Sequence, residues 1–200
     1  MTVDEGRIAL RRRARIASVA LIVFMVLDCV LEILLIAAFN GSESGQDLLA
    51  GGLIVRMIGL VGSVISVSIW IYRANANLRE QGTEGMEFTP GWAVGWYFVP
   101  VGNLFKPFQA MREIWNVSFA DDEYFSSESH PLLIRWWACW IAGNMLTNLN
   151  ERAFAEQSLY VPVSFVCLLL SIGAGMFMIQ IIHRVTTRQV DSGVMAEVFA

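Results

Sequence analysis

Four long apolar blocks separated by short polar stretches constrain this chain more than any other feature: residues 16–39, 48–72, 131–149 and 160–182. An α-helix rises about 1.5 Å per residue, so crossing roughly 30 Å of hydrocarbon takes about 20 residues. Each block approaches or meets that length. The chain is 56% hydrophobic, above the roughly 45–50% of an average soluble domain, and the surplus lies in these blocks. The expected fold is all-α and integral to the membrane, a four-transmembrane-helix bundle forming a single domain over residues 1–200. The first block is too long for a signal sequence and carries two carboxylates, so it reads as a true span.

A fifth apolar segment, residues 88–108, behaves differently. Pro90, Pro100 and Pro107 cut it into pieces of about ten residues or fewer, and Gly91, Gly95 and Gly102 weaken helix further. Such a segment is expected to be re-entrant or interfacial between the second and third spans. The placement of basic residues agrees. With four spans, one side receives Arg7, Arg11, Arg12, Arg13, Arg15, Arg73, Arg79, Lys106, Arg112, Arg184 and Arg188, and the other receives Arg152. A fifth crossing would scatter them. The positive-inside rule therefore favours four spans with both termini cytoplasmic. The loop of residues 40–47, with acids and no base, suits the outside.

Three charged residues stand inside the first two spans. Asp28 and Glu32 are one turn apart on the first, and Arg56 lies on the second. Counting outward from the intervening loop puts Glu32 and Arg56 at nearly equal depth, roughly 10 Å below the helix ends, with Asp28 one turn deeper. An ionised group at mid-membrane costs about 2.5–3.5 kcal/mol on insertion scales, so pairing is expected, with Glu32 as the partner of a buried Arg56 and Asn144 donating to the carboxylate left partly uncompensated. Gly52, Arg56, Gly59, Ser63, Ser66, Trp70 and Arg73 recur at spacings of four and three. That spacing forms the seam of a closely packed helix pair. The cluster has two readings: a staple that fixes helix register, or a proton or ion site.

Other chemistry is sparse. The basic run at residues 11–15 directly precedes an apolar helix, where a topology signal belongs, and no aromatic-interleaved basic face points to nucleic acid. Cys29, Cys139 and Cys167 lie inside apolar blocks without metal-ligand spacing, and His130 and His183 read as solvated or interfacial. The acidic stretch at residues 121–128 matches no calcium loop and reads as a solvated loop. No nucleophile–base pair, metal site or phosphate-cradling loop is visible, and no cofactor is expected.

The second span ends in Trp70-Ile71-Tyr72-Arg73-Ala74-Asn75-Ala76-Asn77. Phe88-x-Pro90-Gly91-Trp92, Gly95-Trp96-Tyr97-Phe98-x-Pro100, Asn103-Leu104, Pro107 and Arg112-Glu113-Ile114-Trp115 follow in order. This succession resembles the core of the domain of unknown function 4328 family of bacterial multi-pass membrane proteins. The resemblance implies a bacterial cytoplasmic (inner) membrane location and brings no activity with it. Physically, Trp70, Trp92 and Trp96 suit an interfacial aromatic belt, and Arg73 and Lys106 suit snorkelling to headgroups. Asn103, flanked by Pro100 and Pro107, can satisfy backbone groups that the prolines free.

The function that fits best is a non-enzymatic accessory or interaction subunit, in contact with the bilayer and with other membrane chains or copies of itself. An alternative is a small transporter or ion-conducting protein using Asp28, Glu32 and Arg56. A third is a lipid-handling protein with Arg73, Asn77, Asn103 and Arg112 as headgroup contacts.

Overall fold

The computed structural model describes residues 3–38, 44–120, 129–153 and 157–198. Among them the order of helices is α1 (Val3–Ala38), α2 (Ser44–Glu80), α3 (Pro90–Gly95), α4 (Lys106–Phe119), α5 (Pro131–Ala153) and α6 (Gln157–Val198). Two 3₁₀ turns, Trp96–Phe98 and Gly102–Leu104, lie between α3 and α4. Helix α2 begins at Ser44, so it takes in half of the expected 40–47 loop. The acidic stretch at 121–128 lies outside the described residues.

Helices α1, α2 and α6 run for 36, 37 and 42 residues, about 54–63 Å at 1.5 Å per residue. That is nearly twice the hydrocarbon thickness, so each helix has a membrane half and a half that projects beyond it. Three stretches are long and apolar enough to cross: Glu5–Leu34, Gly51–Glu80 and Pro162–Asp191. Helix α5 has the length but does not qualify on hydropathy, because Arg135, Trp136, Trp137, Trp140, Asn144 and Asn148 dilute it. The expected fourth span is therefore not carried by apolar character alone.

The four long helices form an open row, not a closed bundle. Helix α1 packs against both α2 and α6, α6 packs against α5, and among the described residues α5 has no extensive packing on α1 or α2. Small residues set the close approaches. A Cβ at Gly52 would overlap Leu31, and one at Gly59 would press on Leu27 at 3.2 Å, which places the α2 seam against α1. Gly175 of α6 receives Met25 of α1 in the same way. The open row leaves broad apolar faces exposed, among them Val19, Val26 and Ile33 on α1, Ile54 and Ile58 on α2, and Phe165 and Leu169 on α6. Faces of this kind are stable in lipid rather than water.

Among the described residues a compact core forms at one end of the row, where the projecting halves meet the segment between α2 and α5. Leu10 and Ala14 of α1, Trp70 and Ala74 of α2, Met111 and Ile114 of α4, Leu133 of α5, and Ile182 and Val185 of α6 are all buried there. We call this end the head. Its elbow, residues 88–105, follows from local chemistry. Thr89 caps α3 by accepting the Trp92 N–H, and Pro90 occupies the first turn, where its missing N–H costs nothing. Gly102 N–H donates to the Pro100 carbonyl at 2.7 Å, which closes a γ-turn on Val101 at φ 65°. This conformation is rare for a β-branched residue. The turn pushes Phe98, Val101, Leu104 and Phe105 outward, with Phe98 68% and Val101 70% exposed. The pieces are too short to cross a bilayer, and Phe88 at the start of the elbow and Phe108 just past its end both pack in the head core.

Candidate functional site

Within the membrane halves, one polar cluster joins three helices. Arg56 Nε of α2 lies 2.7 Å from Asp28 Oδ1 of α1. Ser171 of α6 donates to Asp28 Oδ2 at 3.2 Å, and Glu32 shares a hydrogen bond with Ser164. Asp28 and Glu32 are one turn apart, and Ser171 and Ser164 are two turns apart in the opposite chain direction. That order follows from the antiparallel run of α1 and α6. The ion pair is asymmetrically covered: the Asp28 side chain is 5% exposed and that of Arg56 38%. Arg56 is thus half exposed, not buried, and the ion pair forms with Asp28, not Glu32. One extra turn of depth is within reach of a long guanidinium stem. Asn144 is no part of the cluster, because it is exposed and donates to the Trp140 carbonyl of its own helix at 2.7 Å. The two α6 serines occupy the place expected for it.

A second polar network lies in the head and holds the chain entering the elbow by its backbone. Arg79 donates to the carbonyls of Met86 at 2.8 Å and Phe88 at 3.0 Å, and Asn75 donates to Phe88 at 3.0 Å. From the other side, the Glu113 carboxylate of α4 accepts the N–H groups of Glu87 and Phe88. The segment has no strand partner, so these side chains supply the pairing that buried backbone requires. Burial raises the Glu113 carboxyl above its usual range, the two N–H donors and Arg79 oppose this, and the Glu87 charge adds to it. Gln189 of α6 ties α2 to α4, donating to the Ala74 carbonyl at 3.3 Å and to Ser118 at 2.9 Å.

The family model of a domain of unknown function (DUF4328) matches residues 42–187. The chain belongs to the DUF4328 family. No curated protein and no solved structure matches it. The matched region contains Arg56, Ser164, Ser171 and the clamp residues Asn75, Arg79 and Glu113, while Asp28 and Glu32 precede it and Gln189 follows it. Half of the intramembrane ion pair thus comes from outside the DUF4328 match.

The aromatic and basic candidates divide between head and surface. Trp70 is fully buried and donates from Nε1 to Thr186 at 3.0 Å. It is a core residue, not part of a belt. Arg73 is also buried and grips Glu80 with both terminal nitrogens, at 3.0 and 2.7 Å, so it does not snorkel. Asn77 is buried beside the Gly6 carbonyl of α1. A carboxylate seven residues along the same helix holds Arg73, because α2 continues past the membrane half. Trp92 is exposed and Trp96 half-buried, their rings 5.1 Å apart. Pro100 lies at the exposed tip, and Asn103 donates to the Tyr97 carbonyl at 3.4 Å. Lys106 pairs with Glu87 at 3.3 Å and stands over the Phe88 ring at 5.3 Å. Pro107 is buried in the first turn of α4, and Arg112 is half-buried. Among the described residues no three His, Cys, Asp or Glu side chains gather as a metal site.

Sequence reasoning missed Asn75, Arg79, Glu80, Glu113 and Gln189. The available signal was polar spacing on α2: Arg73, Asn77 and Glu80 fall at intervals of four and three, as do Asn75 and Arg79, which marks a helix continuing into a polar core.

Proposed function

We propose that this DUF4328 protein is a non-enzymatic membrane subunit that assembles laterally with a second membrane chain, across the face where Arg56 emerges. The observation that carries this reading is the half-exposed Arg56 side chain at the edge of the open row. Leu53 and Leu60 flank it at helical spacing and are exposed as well. A guanidinium left against lipid is costly, and a partner helix over this stripe would cover it. The proposed topology has four spans, with α5 as the fourth, the head and both termini in the cytoplasm, and a bacterial inner membrane around the row. One feature supports α5 as a span. Its asparagines turn inward on the helix, Asn144 donating to Trp140 and Asn148 to Asn144, both at 2.7 Å, which lowers the cost of carrying them in lipid. The sidedness rests on the tally of basic residues.

The test is disulfide cross-linking in native membranes of a Leu53→Cys variant, combined with native mass spectrometry in mild detergent. Cross-links at position 53 together with a multi-chain mass support assembly. A monomeric mass with no cross-link at any position along the stripe would sink it.

A second reading, ion or proton passage, draws on the polar ladder from Ser164 through Glu32 and Asp28 to Ser171. Seven residues of α6 separate its ends, about 10 Å of helix. This reading requires that Asp28→Asn abolish ion flux in liposomes, and unchanged flux would exclude it.

A further inference from the structure

We propose that the groove between the elbow and α5 holds one acyl chain of an anionic phospholipid from the leaflet on the head side, with the lipid phosphate at Arg135. This inference rests on α5 lying in the bilayer, as proposed above. The groove is an open apolar channel of about 450 Å³, lined by Leu104 and Phe108 on one wall and by Ile134, Trp137, Ala142 and Met145 on the other.

Its length fits the occupant. From Ile134 to Met145 α5 rises about 16 Å, close to half of the roughly 30 Å hydrocarbon thickness. A chain lying in the groove would therefore run from the headgroup level to the bilayer centre. Its shape fits as well, since Ala138 and Ala142 leave a shallow track along α5 while the elbow supplies the facing wall. At the head end the Phe108 and Trp137 rings meet at 6.2 Å, and Trp137 stacks on Trp140 at 4.7 Å. Indoles at this level suit the carbonyl region of a lipid, with an apolar body and one N–H donor.

Charge selects the headgroup. Arg135 is exposed and stands three and seven residues before Ala138 and Ala142, so it flanks the head-side mouth of the groove. Side chains on a helix tilt toward its N-terminus, which carries the guanidinium toward the headgroup level. Among the described residues no carboxylate pairs with Arg135; its charge adds, after burial and Arg184, to the lowering of the His130 pKa. An exposed arginine at the mouth of an acyl-sized groove, unpaired among the described residues, recognises phosphate by its planar fork.

The experiment uses the full chain reconstituted in nanodiscs of mixed phosphatidylglycerol and phosphatidylcholine, then released into mild detergent for native mass spectrometry. The wild type is expected to retain one phosphatidylglycerol per chain. Ala142→Trp, which fills the groove from an exposed position, should cut retention at least tenfold with an unchanged melting temperature. Arg135→Gln should remove the preference for phosphatidylglycerol over phosphatidylcholine. Unchanged retention in A142W, or an intact preference in R135Q, overturns the proposal. A Met145→Cys variant separates the two levels. Labelling by a membrane-impermeant maleimide above the wild-type background overturns the bilayer placement of α5 and the lipid site with it. Protection of that cysteine combined with unchanged A142W retention overturns the lipid site alone.

Discussion

The guanidinium of Arg56 reaches one turn past its level neighbour to meet Asp28, Nε to Oδ1 at 2.7 Å, while Glu32 takes a hydroxyl of α6 instead. Two acids on one helix are thereby divided between two neighbours. Asp28 anchors α1 to both α2 and α6, because its second oxygen accepts from Ser171. The Glu32 contact with Ser164 fixes the same α1–α6 register one turn farther out. A single buried carboxylate thus sets the alignment of three helices, and Arg56 is positioned by it rather than enclosed with it.

That division predicts unequal effects of neutralisation. Asp28→Asn should lower stability by about 1–3 kcal/mol, the range for losing a charge-assisted hydrogen bond, with the half-exposure of Arg56 and the nearby Glu32 keeping the loss below that of a fully buried pair. Glu32→Gln should cost less, since the amide still serves Ser164. Replacing both partners, Asp28→Leu with Arg56→Met, should restore much of the stability lost by either change alone, because no charge is then left without its partner. Unfolding of the purified protein against a denaturing detergent gives the comparison. A double variant less stable than the sum of the single losses would contradict it.

The head clamp predicts a local effect. Arg79→Gln removes a donor to two carbonyls, Met86 and Phe88, and a cation that acts on Glu113. The expected cost is about 1–3 kcal/mol, from the Met86 carbonyl left without a donor, while Phe88 keeps that of Asn75. The loss should appear first as faster amide exchange and protease cleavage across residues 81–89, ahead of any change in the membrane halves. Uniform loosening of the whole chain would instead show that the head and the row unfold together.

The membrane character, the elbow and the charged trio were legible in the sequence because each leaves a one-dimensional mark: block length, proline spacing, and an ionisable residue in an apolar run. The open row was not legible. A hydropathy profile gives spans but not neighbours, and the same seam at Gly52 and Gly59 serves a closed bundle equally well. Trp70 and Arg73 were misplaced for a related reason. They sit where an apolar block ends, which usually means the lipid interface, but α2 continues to Glu80 and buries both against α1, α4 and α6. The partner that identifies Arg73 as a core residue is Glu80, in a stretch that reads as loop. Arg79 and Glu113 were invisible because their ligands are backbone groups, and no residue type announces a carbonyl.

His130 gives the clearest pH dependence outside the membrane halves. Its Nδ1 accepts the Leu132 N–H at 3.1 Å at the start of α5, so the capping form is the neutral imidazole. Burial, and then the positive charges of Arg184 and Arg135, lower its folded pKa below the ordinary 6.5. The unfolded chain therefore takes up the proton at higher pH than the folded one. Stability from this residue is fully present above about 6.5 and is lost as pH falls through the lowered folded value. His130→Asn keeps a capping acceptor and removes the titration. Melting temperatures measured between about pH 7.5 and 5 should fall for the wild type across this window by more than for the variant, the two curves converging at the alkaline end. Parallel curves would show that the cap tolerates a protonated ring, and that the lost acceptor is replaced by another group on α5.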